Sequence, residues 1–438
     1  MKKTVFAVSR LTTLIGGALL ALASQAAEIQ IIHAGQLLAV PGEKPLEQQS
    51  IIVRDGIITE VKAGFVKEVA VTADDTLAII DLSQAFVMPG LMDMHVHLQG
   101  ELGPKNDSQK LRMSDADVAM HSAYFAKKTL LAGFTTVRDL GAKAEQIYAL
   151  RDGINKGWVD GPRIIASGGV SVTGGHGDVD GMSPDLLDLY TEKTICDGPY
   201  DCRRATRRAI KFGADVIKIT STGGVLSDTN TGTGQQMEDD ELKEVIDAAH
   251  ALGRKVASHA HSAAGINAAL RAGVDSIEHG SYADKDSIKL FKKSGAFLVP
   301  TLLAGDTVVQ MAKSTDVFSP AIKEKAIRVG GDMMDNFKAS YKAGVKIAYG
   351  TDSGVSHHGD NAKEAVLMHA AGMSNMDILK SATVNAAELI DMSATLGTLE
   401  KGKYADIIAT SQSPLDNIET LLNIPFVMKS GIVYKQDL

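Results

Sequence analysis

Two histidines, His95 and His97, stand two apart in the apolar run Met92-Asp-Met-His-Val-His-Leu98. Side chains alternate across a strand, so on a strand both imidazoles leave one face and can grip one cation from a rigid support. Four further groups follow, each near the end of its own apolar, strand-like run: Lys218 in Val-Ile-Lys-Ile, His259 in Lys-Val-Ala-Ser-His-Ala-His, His279 in Ser-Ile-Glu-His-Gly and Asp352 in Ile-Ala-Tyr-Gly-Thr-Asp-Ser. Any one of them alone is an ordinary buried side chain with a hydrogen-bond partner. The ordered set points to metal-dependent hydrolysis. Zinc suits this mixture of imidazole and carboxylate ligands, with Mn or Co as substitutes. His261 shares a strand face with His259, so alternation alone does not choose between them.

The elements that must carry these residues repeat. Five amphipathic segments end in a glycine and run directly into an apolar strand, at Gly133, Gly213, Gly273, Gly295 and Gly344. Glycine can take the left-handed conformation that ends a helix, so each marks a helix-to-strand junction. With strands at Met92–His97, Arg163–Ser167 and Lys255–His259, the middle of the chain holds eight strands alternating with helices. That predicts an α/β (β/α)8 TIM barrel over residues 89–392, with every candidate ligand at the end of the barrel where active sites are built. Short β-rich runs between Ile29 and Ile80, divided by turns such as Asp55-Gly56, have the texture of small antiparallel strands. The same texture returns at Gly402–Ile408 and Ser430–Tyr434. One small β-sandwich domain built from both ends, residues 27–88 and 393–438, is therefore expected.

The 438 residues carry a formal charge of -8 and are 45% hydrophobic, which fits a globular chain and argues against a nucleic-acid partner. The cluster Arg203, Arg204, Arg207 and Arg208 is spaced as a solvated helix face. Lys2 and Lys3 precede the apolar stretch Leu14 to Ala23, and Ser24-Gln25-Ala26 offers small residues for cleavage. Residues 1–26 thus read as a signal peptide, giving an exported protein that is periplasmic if the source is Gram-negative, with no stable membrane anchor. In such an oxidising compartment Cys196 and Cys202, on either side of an Asp-Gly-Pro turn, are expected to form a disulfide. A homo-oligomer is the expected assembly.

The motifs Val87-Met-Pro-Gly-Leu-Met-Asp-Met-His-Val-His97, His279, Gly350-Thr-Asp-Ser-Gly354, Asn385-Ala-Ala-Glu388 and Gly397-Thr-Leu-Glu-Lys-Gly-Lys-Tyr-Ala-Asp406 resemble those of the amidohydrolase superfamily. Gly174-Gly-His-Gly177, Ala214–Ile219 and His279-Gly-Ser-Tyr282 narrow the resemblance to the imidazolonepropionase-related branch, with its Xaa-Pro and Xaa-Arg dipeptidases and ochratoxin-type amide hydrolases. The resemblance implies two divalent ions: one on His95, His97 and Asp352, the other on His259 and His279, with Lys218 carboxylated to an N6-carboxylysine between them. It favours His259 over His261. It also implies that Asp352 moves the proton, that His176 binds the substrate carbonyl and that Tyr282 holds a substrate carboxylate. His357 and His358 read as rim residues. The activity expected is hydrolysis of an amide in a small substrate with a free carboxylate, such as a dipeptide or N-acyl amino acid. The alternatives are a cyclic amide or lactone, or an inactive metal-binding paralogue.

Overall fold

The computed structural model describes residues 26–104, 112–179, 182–227 and 232–438. The leader expected at residues 1–26 lies outside them except for its last position, and among the described residues no helix is long and apolar enough to cross a membrane. In chain order the strands are β1 (Glu28–Leu37), β2 (Leu46–Arg54), β3 (Ile57–Ala63), β4 (Thr76–Pro89), β5 (Leu91–Val96), β6 (Phe134–Asp139), β7 (Arg163–Val172), β8 (Ile195–Cys196), β9 (Val216–Thr220), β10 (Lys255–Ala260), β11 (Ser276–His279), β12 (Phe297–Val299), β13 (Lys346–Ile347), β14 (Ile407–Thr410), β15 (Phe426–Lys429) and β16 (Ile432–Gln436).

The two ends of the chain meet in one seven-stranded sheet of order β16-β15-β14-β4-β1-β2-β3. β2 and β3 form a hairpin through Asp55 and Gly56, both at positive φ, as the right-handed twist of a two-residue turn demands. A Cβ on Gly56 would also collide with the Ser430 carbonyl, so the N-terminal hairpin and the C-terminal strands touch backbone to backbone at this glycine. Ile32, Ile51, Leu82 and Val87 from one end share a core with Ile407, Phe426 and Met428 from the other. The antiparallel reading of the N-terminal strands needs one correction. β4 runs parallel to β1, pairing Ile79 with Ile31, because the connection after β3 is long enough to cross back before β4 begins.

The middle of the chain is a curled parallel sheet, β13-β12-β11-β10-β9-β7-β6-β5, with helices between successive strands. Its strands are short and nearly free of exposed positions: all six residues of β5 and all five of β9 are buried. That is why they read as apolar runs rather than as alternating patterns. The five junction glycines all have positive φ. Gly273 shows what this does: it caps the helix Ala263–Ala272 in the left-handed conformation and releases the chain into β11 three residues later. The segment that follows β13 bonds β5 and the residue after it: Met94 N donates to Tyr349 O (2.8 Å), Asp352 N to His95 O (2.7 Å) and His97 N to Ser353 O (2.7 Å). Cys196 and Cys202 form a disulfide that joins β8 to the first turn of the helix Pro199–Phe212, their Cα atoms 4.9 Å apart. On that helix Arg203 pairs with Glu244 and Arg204 with Asp201.

A Cβ at Gly273 would meet only ordinary van der Waals contact, from Ile246 at 3.9 Å. Gly273→Ala therefore isolates the cost of the left-handed backbone. It should lower stability by roughly 1–2 kcal/mol in urea denaturation, and an unchanged midpoint would show that the junction does not depend on that conformation.

Candidate active site

At the C-terminal ends of these strands six ionisable side chains converge on one cavity of about 1300 Å³: His95, His97, Lys218, His259, His279 and Asp352. One ligand atom from each of His95, His279 and Asp352 lies within 4.8 Å of the other two. His97 Nε2 approaches Asp352 Oδ1 to 2.9 Å and His95 Nε2 approaches the same oxygen to 3.5 Å. Neither nitrogen is aligned for a hydrogen bond, so Oδ1 is a buried oxygen with no directed donor. The rings of His259 and His279 stand 4.6 Å apart, and Lys218 reaches the cavity from β9, paired across the sheet with Ala257 and Gly169. Gly169 leaves open space beside that lysine, since a Cβ there would meet nothing within 4 Å.

Three of the four imidazoles, those of His95, His97 and His279, are held by one ring nitrogen and offer the other. His95 Nδ1 bonds Glu278 Oε2 (2.9 Å), His97 Nδ1 bonds Gly141 O (2.9 Å) and His279 Nδ1 bonds Thr301 Oγ1 (2.7 Å). A second bond of this kind fixes tautomer and ring plane, as metal-binding histidines require. Beneath His95 lies a wholly buried ion pair. Arg138 Nη2 donates to Glu278 Oε1 (2.9 Å), its Nε to Met94 O (2.7 Å) and its Nη1 to Ser276 Oγ (3.1 Å). Asp93, also buried, accepts from Thr351, Asn361 and the His95 backbone, locking β5 to the Asp352 segment. His279, Thr301 and Asp352 all have positive φ, an unfavourable conformation for side chains of this kind that marks functional sites.

The electrostatics favour ligand forms. Burial holds His95 down at about 4 and pushes His259 and His279 well below the usual imidazole range, so all three are neutral. Burial opposes charge on Asp352, but His95 and His97 outweigh it and keep the carboxylate ionised. His97 is the exception among the imidazoles: burial opposes its charge, yet the Asp352 carboxylate raises it. Positive charge is thus drawn into this corner. Burial lowers Lys218 to about 8 against the pull of Glu278 and Asp352, so a neutral amine is accessible near neutral pH. Neutral imidazoles, an ionised carboxylate with an undirected oxygen and an accessible amine together fit a divalent metal centre.

The remaining sequence candidates divide. His176 lines the cavity, its ring 4.3 Å from that of His259. His259 and His261 both face it, their rings 4.7 Å apart and perpendicular. His261 Nδ1 bonds Ser281 Oγ at 2.8 Å, whereas the nearest partner of His259 Nε2 is Gly223 O at 3.4 Å. Tyr282 is not among the cavity's lining residues: it is half-buried, and its hydroxyl meets Asp332 and Arg328. His357 is exposed at the rim beside Glu101, but His358 is not a rim residue. It is 1% exposed, packed on Phe125 and hydrogen-bonded to Gly100 O, because the turn after Ser356 folds inward. Sequence reasoning missed Arg138, Glu278 and Asp93. Their signal was a charged residue inside an apolar strand run, which has no benign explanation unless a partner is buried with it.

Arg138→Met would strand the Glu278 carboxylate away from water and should cost about 3–5 kcal/mol in urea denaturation of metal-free protein. The double variant Arg138→Met, Glu278→Met should be more stable than Arg138→Met alone. A double variant at least as unstable as the single one would show that the pair is not what the region relies on.

Residues 86–433 match the amidohydrolase family. The chain is 31% identical to the ochratoxinase of Aspergillus niger over 93% of its own length and 87% of that protein. Among solved structures it is similar to a Xaa-Pro dipeptidase with methionine bound in its active site (39% identity, TM-score 0.87, 93% of this chain and 100% of that one). It is also similar to a prolidase complexed with N-methylphosphonate-L-proline (30% identity, TM-score 0.83, 93% and 100%). The family match and these likenesses run along nearly the whole length: the chain belongs to the amidohydrolase family.

Proposed function

We propose that this protein is an exported, binuclear metal-dependent hydrolase that cuts the amide bond of a small substrate with a free carboxylate, dipeptides and N-acyl amino acids foremost. The observation that carries the reading is the convergence of His95, His97, Lys218, His259, His279 and Asp352 in one cavity. The similarity to a dipeptidase, a prolidase and an ochratoxinase supports the amide as the bond attacked. The parallel sheet is taken as a closed (β/α)8 barrel, a reading supported by the three backbone hydrogen bonds that join Met94, His95 and His97 to the segment around Asp352.

His95, His97 and Asp352 would hold one ion, His259 and His279 the other, with Lys218 as a carbamate between them. When bound, such ions, zinc by preference, supply Lewis acidity and make water acidic enough to attack at neutral pH. The protein's own groups do the rest. Asp352 takes the proton of the attacking water on its carboxylate and passes it to the leaving amine. His176, which burial and the cations around it lower to about 4 against the pull of Asp352, is neutral and donates from Nε2 to the carbonyl oxygen as negative charge develops there. The substrate carboxylate is assigned to Tyr282 on the strength of the family resemblance; its hydroxyl lies outside the cavity lining, beside Arg328 and Asp332, and would have to leave Asp332 and turn inward to meet the substrate.

Metal analysis of purified protein should find two ions per chain, with mass spectrometry of the native protein showing the carbamate on Lys218. Lys218→Ala should lose most bound metal and activity, and a short-chain carboxylic acid should restore part of both. One ion per fully active chain with an unmodified Lys218 would overturn the bridging role. For the carboxylate, Tyr282→Phe should lower kcat/KM by on the order of tenfold to a hundredfold without changing metal content. Amidating the substrate should cost wild type a similar factor, and the two losses should not add. Equal turnover of free and amidated dipeptides would instead favour a cyclic amide or lactone as substrate.

A further inference from the structure

One ammonium group lies buried near the cavity but outside the ligand cluster. Lys325, 9% exposed on the helix Pro320–Lys342, donates from Nζ to Ser227 O (2.6 Å) and to Gly224 O (3.4 Å). Those carbonyls are the two ends of one turn in the loop that follows β9, and His176 is gripped by the same two residues. Its Nδ1 is hydrogen-bonded to Ser227 Oγ, and its imidazole lies so flat on Gly224 that a Cβ there would collide with the ring. From the other side the His176 backbone N–H donates to Gln236 Oε1 (2.8 Å). The turn thus works as a two-point vice on His176. Val225 and Leu226 between the two points line the cavity, as do Val329, Gly330 and Met333 of the helix that carries Lys325.

We propose that Lys325 is a positioning residue for hydrolysis: by clamping the Gly224 and Ser227 carbonyls it fixes the turn that aims His176 at the substrate carbonyl. This rests on the contact between His176 and substrate proposed above. The 2.6 Å bond to Ser227 O is of the stronger, charge-assisted kind, the 3.4 Å bond to Gly224 O is weaker, and the helix gives both a rigid anchor. A donor that acts on developing charge loses most of its effect when displaced by an ångström, so holding it can matter as much as having it.

The test uses full-length, metal-loaded protein as wild type, Lys325→Met and Ser227→Ala, each also combined with His176→Ala. Hydrogen exchange of peptides covering residues 221–227 reads the clamp, and kcat and KM read its consequence. In Lys325→Met exchange across this segment should accelerate, and kcat should fall roughly tenfold to a hundredfold with KM nearly unchanged. In the His176→Ala background Lys325→Met should cause no further loss. Unchanged exchange, unchanged kcat, or a full loss that persists without His176 would overturn the proposal. Should Lys325→Met not fold, Ser227→Ala decides: its loss of kcat must vanish in the His176→Ala background, and persistence of that loss overturns the route through Ser227. If wild type hydrolyses no amide, the reading of function fails. Faster exchange in Lys325→Met then still supports the clamp, and unchanged exchange still overturns it.

Discussion

Taking an arginine and a glutamate completely out of water is among the more expensive acts a fold performs, and this protein does so at the centre of its parallel sheet. The pair Arg138 and Glu278 is tolerable only because almost every donor and acceptor is used: Arg138 bonds Met94 O and Ser276 Oγ besides Glu278, and Glu278 gives its second oxygen to His95. Arg138 holds Glu278 ionised at about 2 despite burial. The result is a fixed negative charge behind His95, which orients the imidazole and raises its basicity toward whatever lies in front. Three strands, β5, β6 and β11, are thereby tied at one level, and the cavity floor inherits their geometry. Apolar replacements of similar volume are often at least as stable as such a pair. What they would lose is the directed partner of His95.

The layer above that floor stores strain. His279, Thr301 and Asp352 all sit in the left-handed region, and each is held there by a specific bond rather than by bulk packing. Asp352 is pinned through its backbone N–H to His95 O, and Thr301 bonds His279. Thr301 is held in turn by the helix that starts at Leu302, where the buried Glu364 carboxyl accepts from Leu302 N (2.9 Å) and Leu303 N (2.6 Å). Burial pushes Glu364 up to about 8, and its carboxyl caps the helix that follows Thr301, the partner of His279.

The parallel strands were legible because doubly buried strands are apolar throughout and helix-ending glycines leave a local mark, at Gly213 and Gly273 above all. The His95 and His97 pair was legible because period-two alternation survives any fold. What escaped was long-range partnership. Nothing near Arg138 names Glu278, 140 residues away, and nothing near His176 names Lys325. Asp352 was placed at a strand end, yet β13 stops at Ile347, because the intervening backbone turns its hydrogen bonds to β5. The parallel entry of β4 and the inward turn of His358 likewise depend on where the chain returns. Neither leaves a trace in local composition.

The small sheet carries a temporal consequence. β4 pairs with β1 on one side and with β14 on the other, Val87 lying opposite Ala409 across more than three hundred residues of chain. On the ribosome β1 to β4 emerge first, and one edge of β4 stays open until the last strands arrive. Contacts this distant in sequence form late, and an open apolar edge is where a chain pairs with the wrong neighbour. β14 therefore acts as an intramolecular seal on β4, applied only after more than three hundred further residues have been made. Until it closes, the edge of β4 is open to pairing with the wrong strand.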